Sequence, residues 1–257
     1  MTDKRPNANM AKLQLLDLFS GIGGFSLGLE RTGGFETAAF CEIEEYPRRV
    51  LARHWPEVPI YEDIRDLDAA RLRADGIRVD AICGGFPCQD ISAAGKGAGI
   101  EGERSGLWCE FARLIGELRP RIVFVENVAA LLGRGLDRVL GDLAEIGYDA
   151  EWHCIPASAI GAPHRRDRVW IVADAEGKRM EGNWATGQQV AQAPLGPRLF
   201  GRNGAGSLST VWEPEPDVGR VADGVPDRAH RLKALGNAVV PQIPELLGRA
   251  YLETLEQ

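Results

Sequence analysis

The segment Gly85-Phe86-Pro87-Cys88-Gln89 places a thiol directly after a proline, at the end of an apolar run. Because the proline ring fixes φ, the thiol would sit on a stiffened turn at the mouth of a buried strand. A cysteine in such a place can serve as a nucleophile. A lone cysteine is more often a small buried apolar side chain, and we expect Cys83, five residues earlier, to be of that kind.

The two cysteines also have the C-x4-C spacing of half a zinc site. No second pair with ligand spacing occurs, and the four histidines are scattered along the chain at positions 54, 153, 164 and 230. The sequence therefore predicts no metal site.

An acidic residue follows one further apolar segment, and a basic run precedes another. Glu126 follows the apolar run 121–125, where partial desolvation would raise its pKa and let it hold a proton near neutrality. An ordinary exposed acid at a strand end is the alternative. The run His164-Arg165-Arg166-Asp167-Arg168 precedes an apolar segment and forms either a local positive patch or a solvated face.

A glycine-rich turn, Gly21-Ile22-Gly23-Gly24, lies between an apolar strand and a predicted helix. Such a turn lets the backbone approach a ligand at a helix N-terminus, or it is only a tight connection. Ser26 stands where a full dinucleotide fingerprint has its third glycine. Glu42, at the end of the next strand, could accept hydrogen bonds from ribose hydroxyls. Asp63 follows a third short segment and could instead cap a helix over 64–73.

The elements that must position these residues alternate between strands and helices. Strands are predicted at 13–18, 36–41, 79–85, 121–128, 148–155 and 168–174, and helices at 25–31, 45–54, 106–118, 136–147 and 244–255. This alternation indicates βαβ units in an α/β fold with a mostly parallel sheet. Ligands bind beyond the carboxyl ends of such strands, where the polar and glycine-rich residues above fall.

Composition excludes several classes of protein. With 44% hydrophobic and 26% charged residues, the 257-residue chain has too much apolar surface for a disordered protein. No apolar run approaches about 20 residues, and the N-terminus lacks a signal-peptide core, so we expect a cytoplasmic protein with reduced cysteines and no membrane contact. The net charge of −7 alone argues mildly against nucleic acid, but local patches decide contact.

The order of these motifs resembles the DNA cytosine-5 methyltransferase family of bacteria and phages. DLFSGIGGFSLGLE is followed by Glu42, Asp63-Ile64, GGFPCQDIS, ENV, an R-x-R before a strand, and GNAVVP. The match covers about residues 12–174 and 230–252. It implies a Rossmann-like sheet that binds S-adenosyl-L-methionine, and methyl transfer to carbon 5 of cytosine in a specific sequence of double-stranded DNA.

The resemblance also implies which residues bind the cofactor. Phe19 would pack against the adenine, Glu42 would bind the ribose, and Asn237 would return to the cofactor from the end of the chain. The remaining cofactor-binding residues that it implies are Ser20, Gly21, Gly23, Ile43, Asp63, Ile64, Pro87 and Leu107.

The catalytic residues that the resemblance implies are Cys88, Glu126, Arg166 and Arg168. Addition of the Cys88 thiolate to carbon 6 would make carbon 5 nucleophilic. Glu126 would hold the ring nitrogen and amino edge, Arg168 would grip the carbonyl oxygen, and Arg166 would support the loop or a phosphate. Since the ring is stacked in duplex DNA, the base must flip out. No residue is identified as the base that removes the carbon-5 proton.

We expect three regions: residues 1–174 for catalysis and cofactor binding, a small and largely irregular target-recognition region at 175–227, and a segment at 228–257 that returns to the catalytic domain. The recognition region is short, and His164 stands where the family usually has glutamine. We expect a monomer in a bacterial or phage-infected cell, with a cognate restriction endonuclease as a functional partner that is not physically bound.

Other functions would suit parts of this pattern. An RNA cytosine-5 methyltransferase on the same scaffold would explain the short recognition region. A non-catalytic DNA- or cofactor-binding relative would not need Cys88, Glu126 and Arg168 together. An NAD-dependent oxidoreductase would leave the PCQ and ENV motifs unexplained.

Overall fold

A computed structural model describes residues 11–87, 106–176 and 227–255. Its strands form one seven-stranded sheet. They are β1 (Leu13–Leu18), β2 (Phe35–Cys41), β3 (Ile60–Tyr61), β4 (Ala81–Gly84), β5 (Ile122–Val128), β6 (Asp149–Pro156) and β7 (Asp167–Asp174). All six predicted strands are present with ends shifted by at most two residues, and only the two-residue β3 was missed.

The sheet order is β3-β2-β1-β4-β5-β7-β6. The first five strands are parallel, whereas β7 runs antiparallel to both β5 and β6. The predicted α/β class with a mostly parallel sheet is therefore confirmed. The antiparallel insertion has a consequence for the site, because it brings the beginning of β7 beside the carboxyl end of β5, with Arg168 opposite Val128.

Seven helices lie in the described part of the chain. They are α1 (Gly24–Glu30), α2 (Glu45–His54), α3 (Ala69–Ala74), α4 (Leu107–Leu118), α5 (Leu136–Ile146), α6 (Arg228–Asn237) and α7 (Gln242–Leu255). A continuous helix over 64–73 does not form. Asp63 caps a single 3-10 turn at Ile64–Asp66 through the Arg65 amide (2.9 Å), and Asp68 then begins α3 by accepting from Arg71 N (2.7 Å).

Alternate residues of the central strands supply two apolar layers. On one face Leu16 and Leu18 pack with the α4 and α5 side chains, and on the other face Leu15 packs with Phe25 of α1 and Tyr251 of α7. Cys83 belongs to the second layer and is fully buried, as the sequence predicted. Burial raises the pKa of its thiol well above the ordinary value, so Cys83 is a packing residue and not a thiolate.

The C-terminal segment docks on α1 through small residues. An added Cβ at Gly24 would lie 2.5 Å from the Val239 carbonyl oxygen, and one at Gly28 would lie 2.2 Å from that of Pro241. Backbone can approach α1 this closely only because these positions have no side chain. The segment before α7 therefore lies directly against the helix that follows the glycine-rich turn.

Replacing Gly28 with alanine should separate α1 from this segment. We expect Gly28→Ala to lower the free energy of unfolding by about 1–3 kcal/mol, because the obstructing atom is backbone. Gly116→Ala is the matched control, since an added Cβ in the last turn of α4 meets nothing within 4 Å and should stabilise by about 0.5–1 kcal/mol. Urea unfolding of the two variants would contradict the packing argument if their effects were equal.

Asp17 is a buried carboxylate that sequence analysis did not single out, although it interrupts the apolar strand LQLLDL. Its Oδ2 atom accepts hydrogen bonds from the Ser26 hydroxyl (2.7 Å) and amide (3.3 Å), which ties β1 to the first turns of α1. Burial raises the pKa of Asp17 to about 7, although hydrogen bonds from Ser26 and Cys83 oppose the shift. The folded protein therefore binds a proton here that the unfolded chain releases.

This proton gives a testable pH dependence. Its stabilisation is complete below the unfolded pKa of 3.8 and is lost as the pH rises through about 7. Relative to the parent protein, Asp17→Asn should gain about 2.5 kcal/mol of unfolding free energy between pH 5 and pH 8, measured by urea titration. Asp66→Asn, at an exposed position, should show no such gain. A difference between Asp17→Asn and the parent that stays constant with pH would refute the buried proton.

Candidate active site

A cavity of about 340 Å³ opens at the carboxyl ends of β1, β2 and β4. Its walls are mainly apolar with carboxylates at one side. Six of the predicted cofactor-binding residues line it: Phe19, Ile43, Asp63, Ile64, Pro87 and Leu107. They come from separate loops of the chain, which the parallel strand order brings to one edge of the sheet.

A second cavity of about 280 Å³ adjoins the first, because both are lined by Phe19, Ile43 and Pro87. It brings together further predicted residues from the first, middle and last parts of the chain: Gly21, Glu42, Glu126, Arg166, Arg168 and Asn237. Cys88 lies outside the described residues. The roles of all these residues stay predictions, but the two cavities unite them in one continuous site.

Ser20 and Gly23 are the two described site residues that line neither cavity, and they shape the turn instead. The Ser20 hydroxyl donates to the Asp17 carbonyl (2.6 Å) and accepts from the Cys41 amide (3.3 Å), which joins β1 to β2. Gly23 has φ +83°, and an added Cβ would lie 2.6 Å from the Trp55 ring. Their contribution is therefore to backbone shape.

Glu42 fixes the position of the glycine-rich turn. Its carboxylate accepts from the Gly21 amide (2.8 Å) and from the Glu44 amide (2.7 Å), one with each oxygen. Burial raises the pKa of this carboxyl group, and the two amide hydrogen bonds oppose the shift. Each oxygen keeps a lone pair, so the group can still accept from hydroxyls in the cavity.

The first cavity fits an adenosine-containing cofactor. Phe19, held at φ +52°, forms an apolar wall with Ile43, which is 60% exposed. An added Cβ at Gly21 would meet nothing within 4 Å, so the turn faces open space. An apolar slot for a flat ring, with the Glu42 carboxylate nearby for hydroxyls, is the donor set that such a cofactor requires.

Glu126 and Arg168 form an ion pair in the second cavity. Arg168 Nε lies 2.8 Å from Glu126 Oε1, and the two side chains are only 21% and 13% exposed. Burial raises the pKa of Glu126, as its place at a strand end predicts, while the charges of Arg168 and Arg166 oppose that shift. The result is a buried carboxyl group whose charged form is disfavoured by burial and favoured by the neighbouring arginines.

Asn127 received no role from sequence analysis, although it belongs to the ENV motif. It is 2% exposed, donates to the Phe86 carbonyl (3.3 Å) and accepts from the Val128 amide (2.9 Å). An added Cβ at Gly85 would lie 2.9 Å from Glu126 Oε2. The end of β5 and the segment that leads to Pro87 are thus fixed against each other.

The Arg166 side chain is hydrogen-bonded to the C-terminal segment of the chain. Its guanidinium donates to the carbonyl oxygens of Gly236 (2.8 Å) and Ala238 (2.7 Å), at the end of α6. Sequence analysis placed Arg166 among the catalytic residues, as support for the loop or a phosphate. The hydrogen bonds observed go instead to the C-terminal segment around Asn237.

Sequence analysis also missed α6 and the residues it contributes to the second cavity. His230, Lys233 and Ala234 line that cavity together with Tyr46 of α2. The helix has no buried residue, so it lacks the apolar periodicity that reveals a helix in a sequence. The polar residues of α6 were not recognised as a functional motif either.

Neither a metal site nor a membrane helix is evident in the part of the chain that the structure describes. There, no group of three or more His, Cys, Asp or Glu side chains is arranged to hold a metal ion. The helices of that part are also too short or too polar to cross a bilayer.

The strand order and the two cavities at the strand ends define a Rossmann-like α/β protein with one continuous ligand site. The chain belongs to the C-5 cytosine-specific DNA methylase family, whose model matches residues 13–199. Both the predicted fold class and the predicted family are therefore confirmed.

Two curated relatives illustrate the similarity. Type II methyltransferase M2.BsuMI of Bacillus subtilis is 36% identical over 169 residues, which are 63% of this chain and 42% of the relative. Type II methyltransferase M.CviJI of Paramecium bursaria Chlorella virus IL3A is 37% identical over 160 residues, or 62% and 42%. The matched region thus spans less than half the length of these relatives.

Solved structures share the fold. A DNA modification methyltransferase encoded within an Escherichia coli prophage aligns with a TM-score of 0.55 and 27% identity, over 64% of this chain and 47% of that chain. A mutant DNMT2 of Spodoptera frugiperda gives a TM-score of 0.54 with 21% identity, over 65% and 51%. The second likeness supports the fold alone.

Proposed function

We propose that this protein transfers a methyl group from S-adenosyl-L-methionine to carbon 5 of a cytosine that has flipped out of double-stranded DNA. The observation that carries the proposal is the continuity of the two cavities. Phe19 and Pro87 line both, so the apolar slot adjoins the Glu126–Arg168 pair. Pro87 is also the residue before Cys88 in the sequence. Family membership supports the same reaction.

The proposed cofactor site spans the first cavity and the adjoining part of the second. Phe19 and Ile43 would enclose the adenine, Glu42 would accept from the ribose hydroxyls, and the open turn at Gly21 would face the methionine part. When bound, S-adenosyl-L-methionine supplies an electrophilic methyl group. Asn237, at the far wall of the second cavity, would close this end of the site.

Glu126 and Arg168 present a pattern that complements one edge of cytosine. Protonated Glu126 can donate to the ring nitrogen and accept from the exocyclic amine, while Arg168 donates to the carbonyl oxygen. Charge that develops on the ring during the reaction would be stabilised by groups already in place. The raised pKa of Glu126 supports the protonated form.

Cys88 would provide the covalent step. Its thiolate would form a bond to carbon 6, and the electron pair displaced from the 5,6 double bond would let carbon 5 take the methyl group, while the bond from that methyl group to the sulfonium sulfur breaks and a neutral thioether leaves. Loss of the carbon-5 proton then restores the double bond and expels the thiolate. Cytosine inside a duplex is shielded by stacking, so the base must leave the helix first.

We further propose the division predicted from the sequence, with 1–174 catalytic, 175–227 for target recognition and 228–257 returning to the catalytic domain. Residues 177–226 lie outside the described part of the chain. Similarity to Type II methyltransferases supports a restriction-modification setting, with a cognate endonuclease as functional partner, in the cytoplasm of a bacterial or phage-infected cell. We propose a monomer.

Methyl transfer and its polymer can be tested together. The purified protein, given methyl-labelled cofactor, should label duplex DNA and not structured RNA, and sequencing should place the label on carbon 5 of cytosine. Cys88→Ala should abolish labelling while cofactor affinity stays within about twofold. Cys109→Ala, at an exposed cysteine, is the control and should remain active. Labelled RNA would favour the RNA methyltransferase alternative. Methyl transfer by Cys88→Ala would show that Cys88 is not the nucleophile.

Cofactor binding depends on Glu42 and can be measured apart from catalysis. Glu42→Gln replaces one of the two carboxylate oxygens with a donor that faces a backbone amide, so cofactor affinity should fall about tenfold or more. Glu36→Gln, at an exposed glutamate on β2, is the control and should bind normally. Isothermal titration with S-adenosyl-L-methionine gives both values, and equal affinities would contradict the assignment.

A further inference from the structure

We propose that Arg166 is a positioning residue that holds α6 and Asn237 at the second cavity, so that the two arginines of the R-x-R motif have different tasks. This inference rests on the proposed function. It replaces support of the loop or a phosphate, which the family resemblance implied for Arg166, by support of α6. Arg168 keeps its place beside Glu126.

The geometry at Arg166 is that of a bidentate clamp on backbone. The two terminal nitrogens of one guanidinium reach separate carbonyl oxygens, those of Gly236 and Ala238, which flank Asn237 in the sequence. The last carbonyls of a helix lack partners inside the helix and carry partial negative charge. A planar guanidinium can satisfy two of them at once, which a lysine ammonium on a flexible stem does less well.

The backbone of Arg166 is strained in a way that suits this task. Its φ is +40°, in the left-handed region, which is unfavourable for a residue with a side chain. The strain separates two side chains that are close in sequence. Arg168 extends from β7 to Glu126, whereas Arg166 turns toward α6.

The other described contacts of α6 lie at its surface, among them an ion pair between Asp227, which precedes the helix, and Arg49 of α2 (3.3 Å). The apolar residues Leu232 and Leu235 of α6 are 40% and 44% exposed, and the helix buries no residue. Toward α2, α6 makes an ion pair between Lys233 and Glu44 and a stack between His230 and Tyr46 with ring centroids 6.0 Å apart. Exposed ion pairs contribute little to stability, so these contacts are weak anchors.

The position of α6 decides the shape of the second cavity. His230, Lys233 and Asn237 form part of its wall, as do Gly21 and Glu42. If α6 moved away, that wall would open and the cofactor would lose contacts even with Glu42 unchanged. Arg166 therefore acts on cofactor affinity through α6, with no contact to the cofactor required.

The test compares four variants by amide hydrogen exchange of α6 and by the Kd for S-adenosyl-L-methionine. Arg166→Ala should speed exchange at residues 228–237 about tenfold or more and weaken binding about tenfold. Arg166→Lys, which keeps the charge, should recover part of both. Arg168→Ala should slow methyl transfer yet leave α6 exchange and cofactor Kd within about twofold. Arg165→Ala, at a side chain that is 84% exposed, should change neither.

A double-mutant cycle with Asn237→Ala then tests the route of the effect. If Arg166 acts through Asn237, its loss should cost much less cofactor affinity in the Asn237→Ala background than in the parent. Unchanged α6 exchange in Arg166→Ala, or fully additive losses, would overturn the proposal. If the parent itself bound no S-adenosyl-L-methionine, the proposed function would fail, while hydrogen exchange would still decide whether Arg166 holds α6.

Discussion

The hydrogen bond from the Gly21 amide to the Glu42 carboxylate (2.8 Å) joins the ends of β1 and β2, and the site depends on it. A turn that faces open space must have its backbone donors satisfied from one side only. Glu42 does this from the end of the neighbouring strand. Asp17 of β1 fixes the first turns of α1 by accepting a hydrogen bond from the Ser26 hydroxyl. Two buried carboxylates thus fix the turn and leave its outer surface available for a ligand.

The site also depends on the antiparallel insertion of β7 into the sheet. In an all-parallel sheet, the beginning of a strand lies at the edge opposite the carboxyl ends of its neighbours. Here β7 is reversed, so its first residues meet the last residues of β5, and Arg168 comes within 2.8 Å of Glu126. A short basic run at the start of a strand can therefore contribute to a site that is otherwise built from strand ends.

Much of this arrangement could be predicted from the sequence. Apolar periodicity located six strands, and their alternation with helices placed Gly21, Glu42, Pro87 and Glu126 at one edge. The order of the strands and the reversal of β7 have no local signal. Only the family resemblance therefore assigned Glu126 and Arg168 to one site, and their ion pair was not predicted. The hydrogen bonds of Arg166 were not predicted at all, because they depend on α6, a helix that buries no residue.

The net charge of the chain says little about the charges within the site. The chain carries a net charge of −7, yet the second cavity sets Arg166 and Arg168 around the single carboxyl group of Glu126. Because burial disfavours the charged carboxylate and the arginines favour it, small movements of either guanidinium would change the proton affinity of Glu126. An arginine committed to α6 and another committed to Glu126 would keep that balance fixed, and this gives a physical reason for two arginines where one cation could neutralise the acid.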